Sequence, residues 1–257
     1  MKAISILFIL LFSSSLISAQ SDTVLSKVYS YNQLSFEKFD DYEKKQILNG
    51  STTDNENLDV YVLSLEPGKS LDKVKSPGDA ETLIMIKEGE PEVTIKGESK
   101  LLVPGSIVYL MPGERFSISN TGKDKVVYYV LEYNPKKITS NEEEAESAVS
   151  FMINWNDIKF NPHDKGGIRQ YFERPTSMFR RFEMHVTTLN SGIKSHEPHT
   201  HRAEEIVLMI KGKAEMQIGE SFYTGTDGDL FFLGANIPHA IRNTDDEDIM
   251  YFAFQWD

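Results

Sequence analysis

The chain repeats itself, and the repeat limits what it can fold into more than any other feature. Ala80–Gly89 aligns with Ala203–Gly212, and Gly105–Leu110 with Gly228–Leu233. Asn120 aligns with Asn243, and Tyr128–Tyr133 with Tyr251–Trp256. All four pairs keep one offset of 123 residues (Gly105 to Gly228, for instance). Unrelated segments do not hold a single offset over such a length. The chain therefore reads as two copies of one domain, and its 257 residues suffice for two small domains.

Each copy reads as β structure. Val60–Leu65, Thr82–Ile86, Val126–Leu131 and Ile249–Phe254 are short runs rich in β-branched and aromatic residues. Turn formers bound them: Pro67-Gly68, Pro112-Gly113, Asn120-Thr121-Gly122 and Thr226-Asp227-Gly228. Many short strands at near-even spacing predict an all-β sandwich or barrel. The predicted organisation is an N-terminal domain over 20–135, a linker over 136–165 and a C-terminal domain over 166–257. In the linker, Ser140 and Glu143 read as a capping box opening a short acidic helix over Asn141–Phe151. Residues 20–55 are expected to add an edge strand to one domain.

Composition narrows the partners. The formal net charge of −12 opposes nucleic acid and anionic membrane surfaces, which both require clustered Lys and Arg. The chain opens with Met1-Lys2, an apolar run Ala3–Phe12 and a small-residue stretch Ser13–Ala19. This is the pattern of a secretory signal, with cleavage expected after Ala19 and export to the periplasm or the exterior. The apolar run falls short of the roughly 20 residues that span a bilayer, and no later segment reaches them. With no cysteine, an exported chain must rely on a packed core or a metal rather than disulfides.

The chemistry concentrates in the second copy. His199 and His201 are two apart, so on a strand they project from one face, and Glu205 follows after three residues. His239 lies in a second segment that starts at Gly228 and ends at Asn243. Three imidazoles and one carboxylate form a mixed N/O donor set that suits Mn, Fe, Ni, Co or Zn and leaves coordination positions open. His196, three residues before the pair, is a candidate fifth contact or proton shuttle. Gln217, Tyr251 and Gln255 are placed to face the site, and His185 to line the barrel or face solvent. Of Arg180 and Arg181, at most one can reach a substrate carboxylate. Glu204, beside Glu205, should point away from the metal.

The two segments resemble the two motifs of the cupin superfamily. His199, His201, Glu205 and Gly212 fit the first motif, and Gly228, His239 and Asn243 fit the second. Gly234 and Asn236 stand where the second motif usually has Pro and Gly. The resemblance covers residues 57–134 and 176–257. It implies an all-β bicupin of two tandem jelly-roll barrels joined by a short linker helix. It also implies one divalent metal ion (Mn, Fe, Zn or Ni) on His199, His201, Glu205 and His239. The offset places Ser76, Gly78, Thr82 and Phe116 at the ligand positions of the first copy, so the metal belongs to the second copy alone.

An open metal of this kind supports a metal-dependent enzyme acting on a small polar, oxygen-rich molecule, and export suggests a scavenged sugar, uronate or organic acid. An Fe(II) dioxygenase, a non-catalytic binding or sensory module and a hydrolase like the ureidoglycine aminohydrolases are the alternatives. That last family shares the two-barrel plan but carries a Glu in its first motif and a Gln in its second, unlike the His set here. Many cupins dimerise through barrel edges, so the resemblance implies a homodimer.

Overall fold

The computed structural model describes residues 23–257; the expected signal at residues 1–19 lies outside them. The first copy supplies β1 (Lys27–Tyr29), β2 (Glu37–Lys38), β3 (Glu43–Gly50), β4 (Asn55–Leu65), β5 (Ser70–Lys75) and β6 (Glu81–Glu88). It continues with β7 (Glu92–Ile95), β8 (Glu98–Leu101), β9 (Ile107–Leu110), β10 (Arg115–Ser119) and β11 (Val126–Pro135). A helix, α1 (Glu142–Ser147), follows. The second copy supplies β12 (Phe151–Ile153), β13 (Asn161–His163), β14 (Gly166–Arg174), β15 (Phe182–Leu189) and β16 (Glu204–Lys211). It ends with β17 (Ala214–Ile218), β18 (Ser221–Gly225), β19 (Leu230–Leu233), β20 (His239–Asn243) and β21 (Ile249–Trp256).

Each copy is a jelly-roll barrel in which a large sheet faces a small one. The first pairs β12-β9-β6-β11-β4-β3-β2 with β5-β10-β7-β8. The second pairs β1-β19-β16-β21-β15-β14-β13 with β18-β17-β20. The central strands of the large sheets, such as β6 and β16, are buried on both faces. In β16, Val207 and Met209 face their own barrel's core, while Ile206 and Leu208 join the layer between the barrels. In β6, Ile84 and Ile86 face inward, and Leu83 and Met85 join the same shared layer. Two-sided burial explains why these strands read as continuous apolar runs rather than as alternating patterns.

The shared layer is aromatic. Tyr109, Tyr133, Phe172, Phe182 and Trp256 pack there, and all are buried. Tyr133 and Trp256 meet edge-on with ring centroids 4.9 Å apart. Full burial of one such large apolar side chain is worth about 1.5–3 kcal/mol.

The boundaries predicted from sequence are crossed by a reciprocal strand exchange. β1, from the first copy, pairs with β19 of the second barrel through Lys27↔Phe232 to Tyr29↔Leu230. β12, from the predicted linker, pairs with β9 of the first barrel through Phe151↔Tyr109 to Ile153↔Ile107. Polar contacts pin each exchanged arm. Ser30 Oγ and the Tyr31 amide both donate to Asp229, and the Trp155 amide donates to Ser106 Oγ. The repeat also begins earlier than the sequence reading places it. Gln46 and Gln170 each bind a bulge carbonyl and an acid on the neighbouring strand: Leu48 and Asp59 in one copy, Phe172 and Glu183 in the other.

Helix α1 is one residue displaced in its start and shorter than predicted. Asn141, not Ser140, is the N-cap, and its box partner is Glu144. The Ser140 hydroxyl is already committed to the Ser177 carbonyl. No helix among the described residues is long and apolar enough to cross a membrane.

Candidate metal centre

The second barrel opens at one end because a strand present in the first copy is missing there. In the first barrel, β5 pairs with β10 along its length, with one bulge between Phe116 and Ile118. The corresponding stretch of the second barrel is a loop held by two isolated bridges, Lys194↔Arg242 and His199↔His239. His199 and His201 therefore do not sit on a regular strand, as their spacing predicts. Backbone pairing still draws them together. The His199 amide donates to the His239 carbonyl (3.2 Å), the His239 amide to the His199 carbonyl (3.0 Å), and the Asn236 amide to the His201 carbonyl (2.8 Å). Asn236 makes this turn in the left-handed region, with φ of 60°. Asparagine tolerates that region better than most residues, so it replaces the glycine that the first copy has at the matching position, Gly113 (φ 71°).

His199, His201 and His239 bring one ring nitrogen each to within 4.8 Å of one another. Strand alternation along β16 turns Glu205 into the same space and Glu204 out of it. Glu205 Oε2 lies 3.0 Å from His201 Nε2 and 3.4 Å from His239 Nε2. His196 stacks edge-on against His199, with centroids 4.2 Å apart, but stands outside the cluster of converging nitrogens. It is exposed, and its Nδ1 lies 3.0 Å from the Glu197 carbonyl.

The tautomers fit metal ligation. His201 Nδ1 is 2.8 Å from the Ala203 carbonyl and His239 Nδ1 is 2.8 Å from the Ile237 carbonyl. A carbonyl only accepts, so both Nδ1 atoms carry hydrogen and both Nε2 atoms of the neutral rings present lone pairs to the centre. His239 Nε2 is buried and makes no hydrogen bond. Two imidazole lone pairs facing a carboxylate oxygen repel one another unless a cation lies among them, and a divalent metal satisfies all three. Without an ion, a proton on His201 Nε2 takes the cation's place: burial works against charge on Glu205, but the contacts with His201 and His239 then outweigh it and hold the carboxyl at about 2. The same carboxylate raises His201, while burial and then the neighbouring imidazoles lower His199.

The centre sits in a cavity of about 280 Å³. All six histidines of the chain line it: His185 takes the barrel-lining place that was one of its two expected positions, and His163 joins from the predicted linker. Tyr251 and Gln255 also line it. Gln217 does not; its amide turns to the Gly219 carbonyl, and Met216 takes the inward position. Neither arginine reaches the site: Arg180 pairs with Asp257 and Arg181 with Glu173. The sequence did contain a signal for His163, since every histidine falls in the second half, but only the fold shows that it converges with the others.

Among the described residues the first barrel has no such centre. Ser76 Oγ donates to the Met111 carbonyl, and Phe116 lines a residual cavity of about 70 Å³.

Residues 185–254 match the cupin domain model. No curated protein matches the chain in sequence. Among solved structures, a putative glyoxylate-induced protein from Pseudomonas aeruginosa is 19% identical, with a TM-score of 0.73 over 95% of this chain and 92% of that one. The Ylba protein of E. coli is 14% identical, with a TM-score of 0.71 over 94% and 96%. Oxalate decarboxylase from Bacillus subtilis, a protein with Mn(II) centres, is 14% identical, with a TM-score of 0.68 over 93% and 79%. The chain has the two-barrel jelly-roll fold of these structures, and its second barrel carries the cupin-domain match and the histidine cluster.

Proposed function

We propose that the second barrel holds one divalent metal ion (Mn, Fe, Zn or Ni) on His199, His201, Glu205 and His239, and acts there on a small oxygen-rich metabolite outside the cytoplasm. The observation that carries the reading is the pair of Nδ1–H anchors on His201 and His239, which aim both Nε2 atoms at the Glu205 carboxylate. When bound, such an ion polarises a ligand oxygen or lowers the pKa of water to about 7. The protein's own contribution is a fixed set of donors and a cavity of about 280 Å³, the size of a small metabolite. Apolar residues such as Val207, Ile241 and Ala253 form part of its wall and strengthen electrostatic interactions inside it. The shared fold with a manganese-containing decarboxylase supports manganese among the candidates and leaves the substrate open. The export element of the reading rests on the signal pattern of residues 1–19.

The test is elemental analysis of mature protein purified without chelator, for wild type and His201→Ala. One equivalent of a transition metal per chain, lost in the variant, is the expected result. A wild type that carries no metal and takes none up from Mn, Fe, Zn or Ni salts would sink the proposal.

A further inference from the structure

The cavity holds a second polar group that the ligand set does not use. His185, on β15, lines the cavity, and its Nδ1 lies 2.6 Å from Glu183 Oε1. Glu183 is buried and carries three further neighbours. Gln170 Nε2 donates to Oε1 (3.2 Å), Gln255 Nε2 donates to Oε2 (2.9 Å), and Arg181 lies 3.7 Å from Oε2. Burial opposes charge on Glu183, but the contacts with His185 and the two amides prevail and hold its carboxyl below the usual glutamate range. An ionised carboxylate only accepts, so His185 Nδ1 must donate. Gln255 is fixed in the same way. With its amide nitrogen committed to Glu183, its Oε1 is left as the acceptor. Gln255 sits between Glu183 and Glu205 on one rung of the sheet, so this polar row runs up to the metal ligands.

The first barrel serves as an internal control. Gln46 and Asp59 repeat the Gln170–Glu183 pair, so that pair secures the strand bulge in both copies. The position of His185 is filled by Tyr61, whose hydroxyl donates to Glu132 at the position of Gln255. The barrel that lacks the metal ligands also lacks the histidine.

We propose that His185, anchored on Glu183, presents Nε2 as a proton acceptor to the ligand in the cavity, and that with Gln255 Oε1 it selects ligands bearing a hydroxyl group. This rests on the proposed metal reading and adds a substrate class to it. Two acceptors on one wall repel a bare carboxylate and reward a hydroxyl that can donate to them. In the proton-transfer step the ligand O–H bond breaks and an Nε2–H bond forms. The electron pair stays on the ligand oxygen, and the imidazolium charge is balanced by Glu183. His185 is thus the group that touches ligand, and Glu183 is a positioning residue.

The test uses the mature, zinc-loaded chain with 15N-labelled histidine near pH 7.5. Two-bond 1H–15N spectra read the tautomer of His185, and calorimetry compares glycolate with acetate, which lacks the hydroxyl. The expected wild type has His185 protonated on Nδ1 and bare on Nε2, and binds glycolate about tenfold tighter than acetate, a difference of about 1.4 kcal/mol. His185→Leu should erase that ratio at unchanged zinc content. Glu183→Gln, which preserves shape and an acceptor, should keep the tautomer, whereas Glu183→Ala should mix the two tautomers. Hydrogen on Nε2 in wild type overturns the proposal. So does a wild type with no preference for glycolate, weak binding of both probes included. Failure of the metal reading is separately visible, because the wild type would then retain no zinc whatever the tautomer of His185.

Discussion

Glu81 and Glu204 occupy the same position in the two copies, and each is buried against a loop of the opposite copy. Glu81 accepts from Ser177 Oγ (2.6 Å) and the Met178 amide (3.0 Å), with Tyr109 donating to its other oxygen (2.7 Å). Glu204 accepts from Thr52 Oγ1 (2.6 Å) and the Thr53 amide (2.7 Å). The pseudo-symmetry that the repeat predicts is therefore expressed as two reciprocal carboxylate latches between the barrels.

Burial is the largest influence on both latches and raises both carboxyls above the ordinary glutamate value. The folded state then binds more protons than the unfolded state between about 4.3 and the raised folded pKa values. Stability from this source is full below about pH 4.3 and falls as the pH rises through the folded values. The double variant Glu81→Gln/Glu204→Gln, which keeps the shape, should gain on wild type as the pH rises through that window. Urea midpoints across the window check this, and a constant difference at all pH values would refute it. Glu81→Ala instead strands buried donors and should cost about 1–3 kcal/mol at any pH.

The strand exchange makes a prediction at one glycine. Gly105 has φ +89°, and an added Cβ would lie 2.5 Å from Cε3 of Trp155 on the exchanged arm. Gly68 has φ +78° with nothing within 4 Å. Gly68→Ala should cost the left-handed backbone penalty, about 1–2 kcal/mol. Gly105→Ala should lose about 1–3 kcal/mol more through overpacking. Equal losses in denaturant melts would mean that Trp155 is not held there.

The halves should not be independent. A fragment of residues 136–257 lacks β1, which closes the edge of β19, and exposes the aromatic layer that the two barrels share. It should associate or aggregate, as expected of an uncovered apolar face and a free strand edge. Co-expressed 20–135 and 136–257 should form a one-to-one complex. Light scattering of the separate and mixed fragments decides the matter. A stable monomeric C-terminal fragment with wild-type melting temperature would refute it.

Metal binding should separate the histidines. His239→Ala should lose the metal, because His239 is buried in the cluster. His196→Ala should keep about one equivalent, since His196 lies outside the converging nitrogens. Chelation of wild type should lower its melting temperature. At 100 times Kd a bound ion adds about 2.7 kcal/mol. Loss of metal in both variants would place His196 in the ligand set.

The sequence by itself determined the repeat, the β character of each copy, the failure of the first copy to supply ligands, and the four residues that form the candidate centre. These follow from local spacing, since residue patterns at fixed offsets carry into space when two copies fold alike. It also decided the opposite directions of Glu204 and Glu205, because neighbours on a strand face opposite sides. The tertiary structure alone decided the rest. Whether residues 27–29 close their own barrel or the other one depends on which sheet edge is free, and no local pattern records that. The convergence of His163 and His185 with the other four histidines depends on barrel closure bringing distant strands to one mouth. The tautomers of His201 and His239 depend on carbonyls placed by loop geometry, and the anchoring of His185 depends on a buried carboxylate that periodicity marks only as one more strand residue.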